Sequence, residues 1–385
     1  MFAASNIRYE MACRSRAVSI GGLGSIHLLA RRSGLIKGID ENLNLLKCHL
    51  PYHESDHVLN LVYNILAGNT AIEDLELLRQ HEPYLDMLQA QRIPDPTTAG
   101  DFLRRFTPRD IEILMDVVNS ISAKLWPRED SSLGIIDVDG TIAPTAGEKK
   151  QGIGLSYKGI WGYHPLLVSL ANYRQVLFIV NRSGNVASHD GAVEWLDKAV
   201  ALCRGNFKQI LLRGDTDFSL TAQFDRWTEQ SVKFVFGFDC YPNLRALADA
   251  LPMEKFQPLE RPAKYEVRTE ERQTRANTKE RIVVEKEYKN IRLLSEDVAE
   301  FRYQPTKCSR EYRMVVVRKN LSVEKGEAVL FDDVRYFFYI TNDEEMSKEE
   351  VVFHANARCE QENLIEQLKN GVNAMRVPVY DLNSN

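Results

Sequence analysis

Leu133-Gly-Ile-Ile-Asp-Val-Asp139 is the stretch on which the reading of the fold turns. Its apolar run is short, rich in isoleucine and closed by an acid, the pattern of a buried strand. Before it the apolar residues recur at helical spacing; after it strand patterns take over. Tyr163-His-Pro-Leu-Leu-Val-Ser-Leu170 and Gln175-Val-Leu-Phe-Ile-Val180 are strand-like. A helix is expected over residues 189–203, then strand Gln209-Ile-Leu-Leu-Arg213, a helix over 220–230 and strand Lys233-Phe-Val-Phe-Gly237.

Three strands, a helix, and then alternating strand and helix describe an α/β fold with a mixed sheet of the ribonuclease-H-like kind. Working back from Leu133, residues 38–128 read as a bundle of short helices. Asp56-His-Val-Leu-Asn-Leu-Val-Tyr-Asn-Ile-Leu-Ala67 repeats apolar residues at three- and four-residue steps and stops at Gly68-Asn69. Ala71-Ile-Glu-Asp-Leu-Glu-Leu-Leu-Arg79 reads as another amphipathic helix. The Pro-rich Ile93-Pro-Asp-Pro-Thr-Thr98 precedes a helix for which Thr97 or Thr98 is the expected N-cap, and a further helix runs over 108–125. Such a bundle suits DNA binding or dimerisation, but shows no clear helix-turn-helix.

Working forward, Arg281-Ile-Val-Val-Glu285, Tyr312-Arg-Met-Val-Val-Val-Arg318 and Arg335-Tyr-Phe-Phe-Tyr-Ile-Thr341 read as strands of an inserted antiparallel β-subdomain. A last helix is expected over 356–369, ending at Asn370-Gly371. The expected division is therefore 1–128 helical, 129–262 first part of the core, 263–345 β-rich insertion and 346–385 the end of the core.

Composition sets bounds. A formal net charge of -5 weighs against a protein coated in basic surface. Locally the balance differs: Arg8, Arg14, Arg16, Arg31, Arg32 and Lys37 face the single acid Glu10 in residues 1–38, and residues 255–325 are dense in Lys and Arg. The six cysteines are scattered without a CxxC pair, which fits reduced thiols rather than disulfides or a zinc site. With no uncharged run long enough for a bilayer, a cytoplasmic protein is expected.

Asp139 closes one apolar strand and Asp215 follows another, in Leu211-Leu-Arg-Gly-Asp-Thr-Asp217. Carboxylates at the C-terminal ends of neighbouring strands can converge on one site, where mutual repulsion calls for a cation. Oxygen donors without a His or Cys cluster point to Mg²⁺ or Mn²⁺. Aspartates at strand ends also cap ordinary turns. In Arg358-Cys-Glu-Gln-Glu362-Asn-Leu-Ile-Glu-Gln-Leu-Lys369, ideal helical geometry puts Arg358, Glu362 and Lys369 on one face. That face is either a salt-bridge ladder or the wall of a site for a metal-bound phosphate.

The spacing Arg, three residues, Glu, six residues, Lys is similar to the signature of bacterial DDE transposases, although Ala355 stands where that signature has a tyrosine. Asp137-Val-Asp-Gly-Thr-Ile142, Gly159-Ile-Trp-Gly-Tyr-His-Pro-Leu-Leu167, Asn181-Arg-Ser-Gly-Asn185, Arg213-Gly-Asp-Thr-Asp-Phe218 and Glu362-Asn-Leu-Ile-Glu-Gln-Leu-Lys-Asn-Gly371, in this order, resemble group one DDE transposases, the insertion sequence thirteen-eighty family. The resemblance implies a DNA-cleaving and strand-transferring enzyme in which Asp139, Asp215 and Glu362 hold two divalent ions, Mg²⁺ with Mn²⁺ as substitute. It implies phosphate contacts from Arg358 and Lys369, and double-stranded DNA (terminal inverted repeats and target) as partner. A homodimer in the DNA complex and association with the bacterial nucleoid follow from the same resemblance. Related chains continue past Asn385 with an apolar helical stretch, so the chain reads as a shortened copy.

Two other readings compete. Asp137-Val-Asp139-Gly-Thr141 fits the first motif of haloacid-dehalogenase-like phosphatases, with Asp137 as nucleophile and Asp139 as acid/base. Strand periodicity cannot choose between Asp137 and Asp139, which share a face. The second alternative is an inactive DNA-binding copy. Asp137 and Asp217 stand as secondary site residues, Asp217 mainly as a loop residue. His164 and His189 read as structural or phosphate-contacting. Trp161 and Tyr163 are expected beneath the site or stacked on a displaced base, and Glu360 and Glu366 at the solvent.

Overall fold

The computed structural model describes residues 17–126, 133–261, 278–326, 328–377 and 379–385. The chain forms two compact units, one of Met1–Trp126, Ala143–Ile153 and Glu366–Asn385, the other of Pro127–Ile142 and Gly154–Ile365. This partition differs from the four consecutive segments expected. Arg8, Arg14, Arg16 and Cys13 lie outside the described residues, as does the middle of the basic run over 255–325.

The first unit is built on helices α1 (Gly22–Ser33), α2 (Leu35–Asn42), α3 (Glu54–Leu66), α4 (Leu75–Arg79), α5 (Glu82–Leu88), α6 (Pro96–Leu103) and α7 (Pro108–Ala123). Leu59, Tyr63, Leu75, Leu78, Tyr84 and Leu88 gather in its core with Leu23 and Ala99. Their spacing of three or four residues is the amphipathic stripe that drives such helices together. The start of α6 differs from expectation. Asp95, not Thr97 or Thr98, is the N-cap: its carboxylate accepts from the Thr98 amide at 3.0 Å, and Pro96 follows it in the first turn. Proline there loses no helical hydrogen bond, so Asp-Pro outcompetes the threonines.

The second unit is organised by one nine-stranded sheet. Its strands are β1 (Leu133–Gly140), β5 (Leu166–Leu170), β6 (Gln175–Val180), β7 (Gln209–Gly214), β8 (Val232–Phe238), β9 (Gln257–Pro258), β10 (Lys289–Tyr303), β11 (Tyr312–Lys325) and β12 (Ala328–Thr341). The short β2 (Ala143–Pro144), β3 (Gly154–Leu155) and β4 (Trp161–Tyr163) lie outside this sheet. Spatial order is β6-β5-β1-β7-β8-β12-β11-β10-β9. β5 runs antiparallel to β1 and β6 antiparallel to β5, so that β6, like β7 and β8 on the other side, is parallel to β1. Helices α8 (Ala192–Arg204), α9 (Phe224–Glu229) and α10 (Pro242–Asp249) follow β6, β7 and β8 in the chain.

Period-two geometry sorts the two faces of the central strands. Leu211 of β7, Val235 of β8 and Val315 and Val317 of β11 pack with Val351, Val352 and Ala355 of helix α12 (Lys348–Ala357). On β8 the alternate residues Phe234 and Phe236 stack against Phe224 of α9, at ring-centroid distances of 4.3 and 5.9 Å. Arg213 follows Leu211 by two residues and therefore shares the α12 face; Asp137 and Asp139 share a face with Ile135, which packs on the same cluster. Full burial of side chains of this size is worth about 1.5–3 kcal/mol each, so the register is strongly specified.

Three expectations are corrected downstream. The strands read as a separate insertion continue the core sheet, because β12 pairs antiparallel with β8 from Phe338↔Phe238 to Thr341↔Val235. Residues 281–285 lie in helix α11 (Thr278–Glu285), where Arg281 and Glu285 pair at 3.3 Å across one turn. A local β-branched run is a weak argument against a helix with such a pair. The last helix is not continuous over 356–369. It divides into α12, a break at Arg358, α13 (Cys359–Glu366) and a π-helical turn, Gln367–Gly371. Among the described residues no helix is long and apolar enough to cross a membrane.

Candidate active site

Asp139 ends β1 with its carboxylate only 18 % exposed, accepting from the Gly140 amide at 2.7 Å. Burial pushes its carboxyl up to about 6, helped by the negative charges of Asp215 and Glu362 and opposed by Arg358 and that amide. Asp215 lies just past β7, the strand parallel to β1. Its carboxylate accepts from the Asp217 amide at 3.0 Å and caps the short turn Thr216–Phe218. Burial raises its pKa too; Arg358 pulls it down and Asp217 pushes it up. Asp215 thus caps a turn and lies in the field of Arg358.

Arg358 is placed by the break between α12 and α13. Its guanidinium approaches the Asp139 carboxylate at 4.0 Å and acts on Asp215 as well. Glu362, one turn along α13, is exposed but near enough to raise the pKa of Asp139. Asp139, Asp215, Arg358 and Glu362 thus form one electrostatic group. Lys369 falls on the π-helical turn within the other unit. Among the described residues no three His, Cys, Asp or Glu side chains are gathered tightly enough to enclose a metal ion. The donor set nevertheless fits a hard divalent cation: carboxylate oxygens alone, two of them on half-buried groups whose ionisation desolvation opposes and a cation would favour.

Asp137 has a different place. It is 1 % exposed and held by the Arg213 guanidinium in two hydrogen bonds of 2.6 and 2.7 Å. A buried carboxylate so engaged is not a free nucleophile, which removes the geometry the phosphatase reading needs. Sequence reasoning missed Arg213 and also Gln361. A signal existed for the first, since a charged residue inside an apolar strand requires a buried partner. His164 is buried, with Nδ1 on the Val186 carbonyl at 3.0 Å and its ring against Gly140, a structural role. Tyr163 is fully buried, whereas Trp161 and Glu362's neighbour Glu360 are exposed.

Two hollows flank the Asp215 loop. One, of about 350 Å³, is lined by Asp215, Arg358, Tyr336, Tyr339, Cys240 and Cys359 among others. The second, of about 330 Å³, is lined by His189, Thr216, Asp217, Asp239, Tyr241 and Lys307 among others. Asp217 and His189 therefore line a cavity beside the carboxylates.

No curated protein matches the chain in sequence. The solved structure described as the piggyBac transposase synaptic complex with hairpin DNA is similar with a TM-score of 0.42 and 8% identity, over 92% of this chain and 69% of that one. Likeness that distant carries nothing about function across. The sequence profile of the family described as transposase DDE domain group 1 matches residues 5–385. The sequence blocks and this match over nearly the whole chain lead to one conclusion: the protein belongs to the group 1 DDE transposases and is a transposase enzyme.

Proposed function

We propose that this transposase cuts DNA at the ends of its insertion sequence and joins them to target DNA, using Asp139, Asp215 and Glu362 as its metal-holding carboxylates. The observation that carries the reading is the Asp139–Asp215 pair. Two half-buried carboxylates lie at the ends of parallel neighbouring strands; burial disfavours the ionisation of both, Asp215 adds to the cost for Asp139, and Arg358 is the counter-charge of both. Such a pair weakens an apo protein and suits a cation-binding one. Mg²⁺, with Mn²⁺ as substitute, matches oxygen-only donors, and two ions would be shared by the three side chains.

When bound, these ions supply Lewis acidity toward phosphoryl oxygens and acidify an attacking water or DNA 3′-hydroxyl. The chain's own residues do the rest. The Asp217 amide fixes the rotation of the Asp215 carboxylate, and the Gly140 amide that of Asp139. Glu362 stands exposed on α13, within electrostatic reach of Asp139. Arg358, freed from its 4.0 Å approach to Asp139, offers a planar fork to a DNA phosphate. Lys369 is proposed as a second phosphate contact, and the hollow with Lys307 and His189 as part of the strand's path.

The five-strand order β6-β5-β1-β7-β8, in which β5 alone runs against the other four, supports a ribonuclease-H-like core. The helices of the first unit are proposed to bind DNA or to pair protomers. Terminal inverted repeats come in twos, so a homodimer on double-stranded DNA is the expected working form, on the nucleoid of a bacterial cytoplasm. Glu362→Gln tests the reading: strand cleavage is lost while binding to repeat-end DNA stays within about twofold. Loss of binding and cleavage together would make Glu362 a structural residue instead.

A further inference from the structure

We infer that Asp137, Arg213 and Gln361 form one buried positioning set that holds the three carboxylate-bearing segments in register. The inference rests on the reading that Asp139, Asp215 and Glu362 bind the metal.

Each member of the set is a near neighbour in sequence of one carboxylate. Asp137 precedes Asp139 by two residues on β1, Arg213 precedes Asp215 by two at the end of β7, and Gln361 immediately precedes Glu362 on α13. Asp137 and Arg213 are direct partners in the parallel ladder. Side chains two apart on a strand share a face, so fixing Asp137 and Arg213 fixes where Asp139 and Asp215 emerge. The Arg213 guanidinium grips Asp137 through Nε and Nη2, at 2.6 and 2.7 Å, and its Nη1 donates to the His354 carbonyl at 3.0 Å. One side chain thus links β7, β1 and the last turn of α12, the helix that leads to Arg358.

Gln361 completes the link. Its Nε2 donates to the backbone carbonyls of Asp137 and Leu167, each at 3.3 Å, tying α13 to β1 and β5. Gln361 is 3 % exposed, and its Oε1 is buried without a hydrogen-bond partner. An amide that leaves an acceptor unsatisfied is a poor choice for stability alone, since an apolar residue of the same shape would avoid that cost. Its geometry is explained if it serves to hold the adjacent Glu362 against the end of β1. None of the three is a catalytic residue, for none faces the cavity by which Asp215 and Arg358 lie.

The test uses the full chain and four variants, Gln361→Met, Arg213→Lys, Glu362→Gln and Asp139→Asn. Three quantities are read for each: Mn²⁺ affinity by calorimetry without DNA, thermal midpoint, and nicking of repeat-end duplex against Mg²⁺ concentration. Residues that orient metal ligands typically change affinity or activity by about 10- to 100-fold. The expected result is that Gln361→Met melts no lower than wild type, binds Mn²⁺ at least tenfold more weakly and needs correspondingly more Mg²⁺ to nick. Arg213→Lys, which cannot span both Asp137 and the His354 carbonyl, is expected to show the same shift. Wild-type Mn²⁺ affinity and Mg²⁺ dependence in Gln361→Met would overturn the positioning set, even if Arg213→Lys unfolds. Failure of the underlying reading looks different: Glu362→Gln and Asp139→Asn would then bind Mn²⁺ and nick like wild type, and both proposals would fall together.

Discussion

Asp139 carries the cost of the site in a single side chain. Between its ordinary value of 3.8 and its folded value of about 6, the folded chain keeps a proton that the unfolded chain has released. The unfolded state then binds fewer protons, so this group's contribution to stability falls as pH rises through that window and stays lost above it. Asparagine keeps an oxygen for the Gly140 amide and removes the penalised charge. Asp139→Asn is therefore expected to raise the stability of the metal-free protein at pH 8, by up to roughly 3 kcal/mol, while abolishing cleavage. Thermal melts with and without Mn²⁺ check this: the metal should stabilise wild type and leave the variant unmoved. A second expectation concerns proton competition. Below about pH 6 Mn²⁺ must displace a proton from Asp139, so its affinity should fall about tenfold per pH unit there and level off above. Calorimetry from pH 5 to 8 reads this directly, and a flat profile would separate Asp139 from the metal.

Helix ends and strand register decide how the elements present these groups. Asp95 accepts from both the Thr98 amide and hydroxyl, at 3.0 and 2.7 Å. Asp95→Ala should cost the first unit about 1 kcal/mol, and Thr97→Ala less than about 0.5 kcal/mol, in denaturant melts. Equal costs would contradict Asp95 as the N-cap. Much at this scale was legible from the chain itself. β1, β6, β7, β8 and α3 follow from apolar period alone, whereas the strand ends mark Asp137, Asp139 and Asp215 as candidates without choosing between the first two. What escaped was non-local. β10 reads Lys289-Asn-Ile-Arg-Leu-Leu-Ser-Glu-Asp-Val298, too charged to suggest a strand, and is held by its long antiparallel pairing with β11. The break at Arg358 and the π-helical turn after Glu366 leave no mark on a count of 3.6 residues per turn. Arg358 still approaches Asp139 at 4.0 Å and Glu362 still acts on its charge across that break, whereas the ideal-helix argument no longer supports Lys369 beyond it.

For the whole molecule, family membership makes the chain a transposase, and the proposed chemistry rests on one group of side chains. The choice between Asp137 and Asp139, undecidable by periodicity, turns on a partner 76 residues away: Arg213 engages the first and leaves the second near Arg358. No local pattern encodes that pairing, although a charged residue in a buried strand signals that some pairing must exist. The most direct measurement follows a labelled duplex ending in the terminal repeats, incubated with protein and Mg²⁺ or Mn²⁺, for wild type and for Asp139→Asn, Asp215→Asn and Glu362→Gln. The expected result is metal-dependent nicking at the repeat end by wild type, absent in all three variants, each of which still shifts the duplex in a gel. Nicking at the wild-type rate by any of the three, or binding without any cleavage by wild type, would contradict the assignment.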